Sequence, residues 1–148
     1  MSIEPAIPLS TTIHVRDACL CLHAQRAARA LARRFDAALK AVDLTNQQFS
    51  LMMALSQPEP VAMGPVARLL AMDRTTLTAA LKPLSKRGWL LIEPDPRDRR
   101  GRRLSLTPSG LAVLSAAIPI WRAVHADIEA GMSSDPDLLR QALREVTA

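Results

Sequence analysis

Apolar residues recur at spacings of three and four from Leu20 onward, through Ala24, Ala27, Ala28, Leu31, Phe35, Ala38, Leu39 and Val42, with Arg26, Arg29, Arg33, Asp36 and Lys40 falling largely between them. That period belongs to an amphipathic helix. It predicts one continuous helix over residues 13 to 42, long enough to need a partner beyond its own domain. Residues 1 to 12 carry two prolines and small polar residues and read as a flexible arm.

Leu44 breaks the run, and Thr45 with Gln48 three residues on forms a capping box for a helix ending near Ser56. A proline-rich connection, "QPEPVAMGP", follows. Val66, Leu69 and Leu70 mark a short helix, "AMD" a tight turn, and Asp73 the N-cap of a second helix with Leu77, Leu81 and Leu84 as its buried stripe. Arg74, Thr75, Thr76, Thr78 and Lys82 are left facing outward. Pro83 should distort the final turn by removing a bond to Ala79, and Gly88 suits a left-handed cap. "WLLIE" and "RLSLT" then read as two strands around a basic tip, "PDPRDRRGR", before Pro108 opens another helix. Helical spacing resumes through Leu114, Ile118, Trp121, Val124, Ile128 and Met132, with Pro119 expected to kink or interrupt it, and "SSDPDLLRQALREV" gives a capped terminal helix. The fold class is therefore mainly α with a small β-hairpin wing, a winged helix-turn-helix.

Charge sharpens this picture. The chain of 148 residues has a net charge of +5, and the segment from Lys82 to Arg103, with eight basic residues against three acidic ones, carries all of it. A basic balance favours a polyanionic partner. Placed on a helix-turn-helix with a hairpin, it points to double-stranded DNA. A helix fits the major groove, where base edges are distinguishable, so short hydroxyl and basic groups on its outer face suit base reading. Arg74, Thr75, Thr76, Thr78 and Lys82 supply them. Arginines on a hairpin tip suit the negative potential of a narrow minor groove, which Arg97, Arg99, Arg100 and Arg102 can meet.

The stretch "DPRDRRGRRLSLTPSG" resembles the wing motif of the MarR family, and "LTNQQFSLMMAL" resembles its second helix. The resemblance covers roughly residues 13 to 135. Asp98 and Arg100 match the family's wing aspartate and tip arginine, with Leu106, Thr107 and Gly110 matching the strand end and the start of the next helix. It implies a homodimer whose terminal helices intertwine, residues 13 to 42 and 109 to 148, and whose two heads, residues 43 to 108, read a pseudo-palindromic operator. It implies a transcriptional regulator, typically a repressor, released by a small aromatic or phenolic effector bound between the dimerisation helices and the heads. His23, Arg26 and Arg29 are polar candidates to line that site.

"CLCLH" places Cys19 and His23 four apart on one predicted helix face with Cys21 turned away. Tetrahedral zinc needs more ligands than this segment offers, so no metal is expected; both cysteines read as small hydrophobes in a helix interface. The organic-hydroperoxide-sensing branch of the MarR family offers a second reading, because its reactive cysteine stands where Cys21 does, 24 residues before Thr45. That branch holds its thiolate with tyrosines; this chain has none, and Gln25 and Phe35 stand in their places.

Scattered histidines (His14, His23, His125), five glycines and no phosphate-cradling loop or nucleophile elbow offer no catalytic set, so neither enzyme activity nor a cofactor is expected. A winged helix that binds only protein is the remaining alternative. No apolar run is seen that approaches the roughly 20 residues of a membrane span, and the N-terminus lacks a secretory pattern. No membrane partner and a cytoplasmic location are expected.

Overall fold

The computed structural model describes residues 6–148. Its elements in chain order are helices α1 (Leu9–Ala18) and α2 (Leu20–Leu39), a 3-10 turn at Lys40–Val42, α3 (Asn46–Leu55), strand β1 (Val61–Ala62), α4 (Met63–Leu69), α5 (Arg74–Lys86), β2 (Leu90–Asp95), β3 (Asp98–Leu106), α6 (Pro108–Ala130) and α7 (Pro136–Thr147). The chain divides into two units at Arg34 and Phe35, with α2 running across the division.

In the first unit the expected single helix over 13 to 42 is two helices, and it begins earlier, at Leu9. The break is at Cys19, whose backbone turns extended (φ −68°, ψ 110°). Cys19 then starts α2 itself, its carbonyl accepting from the His23 amide and its sulfur from the Leu22 amide at 3.4 Å. A cysteine inside an apolar period carries no break signal, which is why periodicity runs straight through it. Residues 1–5 of the predicted arm lie outside the described residues.

The second unit is the head. Leu39, Leu51, Met52, Leu55, Leu77, Leu84 and Leu104 are its fully buried large side chains, drawn from α2, α3, α5 and β3. The expected helix starts hold: Thr45 and Gln48 form the reciprocal capping box of α3, and Asp73 and Thr107 accept from Thr76 and Gly110 to cap α5 and α6. Asp36 adds a second tie at α3, accepting from the backbone and side chain of Asn46 at 2.7 and 2.9 Å.

Pro83 lies inside α5, as expected, and Pro119 lies inside α6, which continues through it without a break. The wing sheet has three strands, ordered β1-β3-β2 and antiparallel, because two residues of the proline-rich connection pair as Val61 with Leu104 and Ala62 with Arg103. α6 is long and apolar enough on average to pass for a membrane span by length and composition alone, but Arg122, His125, Asp127 and Glu129 interrupt it and its Leu114 and Ala117 are buried in the head core.

Candidate nucleic-acid interface

The face of α5 follows from its stripe. Leu77, Leu81 and Leu84 are buried, and at 3.6 residues per turn this turns Arg74, Thr75, Thr76, Thr78 and Lys82 outward; all five are exposed. Two of the hydroxyls already donate within the helix. Thr76 gives its proton to the Asp73 carboxylate at 3.0 Å and Thr78 gives its own to the Arg74 carbonyl at 2.8 Å. Each therefore keeps oxygen lone pairs for an incoming donor. Asp73 also accepts from the Thr76 amide at 2.7 Å, and these hydrogen bonds hold its carboxyl below the ordinary aspartate value.

The wing differs from the expected irregular tip. β3 begins at Asp98, so Arg99, Arg100 and Arg102 stand on a strand, and only Pro96 and Arg97 connect it to β2. Two aspartates shape this end. Asp95 accepts from the Arg97 amide at 2.9 Å and Asp98 from the Arg100 amide at 3.0 Å. Gly101 is buried beneath them: a Cβ there would lie 3.1 Å from the Asp95 Cβ and 3.3 Å from an Asp98 oxygen. Their carboxylates are thus spent mainly on backbone. Arg103 reaches Asp95 at 3.5 Å, while Arg97, Arg99 and Arg100 have no ion-pair partner among the described residues and are exposed. Arg102 turns its guanidinium back to the Gly101 carbonyl at 2.9 Å.

Helix and wing meet at one cleft of about 360 Å³, lined by Arg74 from α5, Asp95, Asp98, Gly101 and Arg102 from the wing, and Met63 to Pro65 from α4. Arg74 and Arg102 thus share one wall system. Sequence reasoning placed both in the interface but had no means of joining them across 28 residues.

On α2, His23, Arg26 and Arg29 line one groove of about 540 Å³ together with Ala27, Ala30 and Arg33. Arg33 was not among the expected residues, although its spacing from Arg26 and Arg29 puts it on their face. Cys21 is exposed, and the Gln25 amide donates to its sulfur at 3.2 Å. The Phe35 ring lies 6.4 Å from that of His125.

A MarR family model matches residues 44–101. The transcriptional regulator HosA of Escherichia coli is 30% identical over 105 residues, spanning 70% of this chain and 78% of its own length. The transcriptional activatory protein BadR of Rhodopseudomonas palustris is 35% identical over 95 residues, 62% of this chain, and the match spans only 54% of that relative. Among solved structures, the M. tuberculosis transcriptional regulator MosR in complex with DNA superposes with a TM-score of 0.80 at 33% identity, covering 87% of this chain and 93% of that one.

Proposed function

This chain belongs to the MarR family of winged-helix transcriptional regulators, and from that premise we propose that it is a repressor that binds a pseudo-palindromic operator as a homodimer and is released by a small organic effector. The family is one of transcriptional regulators, and as one of them the chain acts in the cytoplasm.

The observation that carries the proposal is the common cleft of α5 and the wing, because it puts Arg74, at the start of the exposed hydroxyl and basic face of α5, beside Arg102 of the wing strand. Thr75 with Arg74 and Lys82 reads base edges and flanking phosphates in the major groove. Thr76 and Thr78, their protons engaged, accept from the exocyclic amines of adenine or cytosine. Arg97, Arg99 and Arg100 enter or flank the minor groove, Arg102 supports the strand that carries them, and Asp98 sets the turn. His23, Arg26 and Arg29 line the effector groove, where an aromatic or phenolic body can rest on Ala27 and Ala30. The matching experiment is a gel-shift series on DNA flanking the gene, over a range of salt. Tight binding that weakens steeply with salt supports the proposal, and equal weak binding to all sequences refutes it.

A second reading, release by organic hydroperoxide through Cys21, is favoured by one observation: the thiol is exposed and receives the Gln25 amide, a donor in the place where the sensing branch has tyrosine.

A further inference from the structure

We infer that Arg87 is a positioning residue of the head, tying the C-terminal end of α5 to the corner between α2 and α3 instead of meeting DNA. The inference rests on the proposed reading of α5 as the helix that reads bases. By sequence Arg87 is one more cation in the segment that carries the net charge of the protein. In the structure its Nη1 donates to the Asp43 carbonyl at 2.6 Å, across 44 residues, and its guanidinium carbon lies 4.5 Å from the centre of the Trp89 ring. Arg74 and Lys82 have no such partner among the described residues.

Both ends of this contact have a physical reason to exist. Asp43 caps the turn that ends α2, with its backbone in the left-handed region (φ 56°, ψ 35°) and its amide donating to Lys40. Carbonyls at a helix end lack intrahelical donors, and Arg87 supplies one. At the other end, Pro83 removes a backbone bond from the last turns of α5, leaving that segment in need of an outside tie. Arg87 is the C-cap residue there, and the chain then turns through left-handed Gly88 (φ 76°) so that the Trp89 amide returns to the Leu84 carbonyl.

The two residues after Arg87, Gly88 and Trp89, also join the wing and α6. Thr107 donates its hydroxyl to the Gly88 carbonyl at 2.6 Å and its amide to the Trp89 carbonyl at 3.1 Å. Through its stacking on Trp89, Arg87 therefore braces the junction that Gly88 and Trp89 make between α5, the wing and α6. A flat guanidinium suits this double task, since it can stack on Trp89 and donate in its plane at once.

The test uses the full-length protein and its operator. Arg87→Ala should lower operator affinity about tenfold, as loss of a charge-assisted hydrogen bond does, while the slope of log affinity against log salt stays as in wild type. A phosphate contact would lower that slope by about 0.9, and that result, or unchanged affinity, overturns the inference. Arg87→Lys keeps the charge without the flat face and should recover only part of the affinity; full recovery would mean that charge alone matters, which also overturns it. In free protein, the Gly88 and Trp89 amides should exchange faster in Arg87→Ala. Unchanged exchange with operator binding intact would overturn the tether, whereas wild type that binds no operator would remove the positioning role together with the reading on which it rests.

Discussion

The Trp89 carbonyl oxygen lies 2.0 Å from the point where a Cβ on Gly110 would stand, closer than any two such atoms can approach. The reason is local: Thr107 donates to the Gly88 and Trp89 carbonyls while its own hydroxyl accepts from Gly110, drawing the first turn of α6 onto the start of β2. Glycine is required here for space alone, since its φ is ordinary. Gly110→Ala must push backbone against backbone, which costs about 3 kcal/mol and should lower the melting temperature by roughly 10 °C. Thermal denaturation measures this directly. A change of a degree or two would mean that the junction relaxes freely.

Arg100 and Arg87 should differ in kind. Arg100→Ala should weaken binding to specific and random duplex alike and reduce the salt slope by about one unit. Asp98→Ala should weaken binding with the slope kept, because Asp98 acts on the Arg100 amide and not on phosphate. Equal slopes for Arg100→Ala and wild type would remove the wing arginine from the interface.

Much of this head is legible in the sequence because its signals are local. Thr45 with Gln48, Asp73 as N-cap, Gly88 as left-handed cap and Pro108 at the first turn of α6 each act within four residues, and each turns up in its expected role. What escapes is non-local or too short to show a period. β1 is two residues long, and the Arg87 contact spans 44. Cys19 ends α1 with no proline or glycine to announce it, while Pro119 suggests a break that α6 does not make. The exposed face of α5 could be read from Leu77, Leu81 and Leu84; the strand under the wing arginines could not, because a dense run of arginines hides the period-two pattern.

Acid should loosen the start of α5. The folded-state pKa of Asp73 is depressed below its ordinary 3.8 by bonds from the Thr76 amide and hydroxyl. A depressed carboxyl contributes stability that is present above the unfolded pKa and lost as pH falls through the folded one. The contribution should therefore be complete at neutral pH and disappear below about pH 4. Asp73→Asn keeps an acceptor without a charge and should flatten the acid limb of a stability curve. An identical limb in both proteins would assign the loss to other groups.

The chain should sediment as a dimer. Leu138, Leu139, Leu143 and Val146 are exposed on α7, and Leu9, Ile13 and Val15 on α1. A monomer rarely leaves such rows in water. Sedimentation at micromolar concentration should give twice the chain mass of 16.1 kDa, and Leu143→Glu should shift it toward one. A stable wild-type monomer would contradict the homodimer.

The last expectation concerns oxidation. Cys19 and Cys21 are in different settings: Cys19 is half-buried at the helix break with its sulfur taking the Leu22 amide, and Cys21 is exposed with its sulfur taking the Gln25 amide. Joining them would pull both sulfurs off these donors and open the first turn of α2. An organic hydroperoxide should instead oxidise the Cys21 thiolate to a sulfenate, transferring one oxygen and leaving the alcohol. Exposure favours Cys21 over Cys19. Intact mass should rise by one oxygen, peptide mapping should place it on Cys21, and Cys21→Ser should show no gain. No phenol is available to answer the change, because the chain has no tyrosine, and Gln25 can keep donating to the sulfenate oxygen. Operator affinity should therefore be retained in wild type and Cys21→Ser alike. Release in wild type only, with the added oxygen on Cys21, would reverse this and establish the hydroperoxide reading.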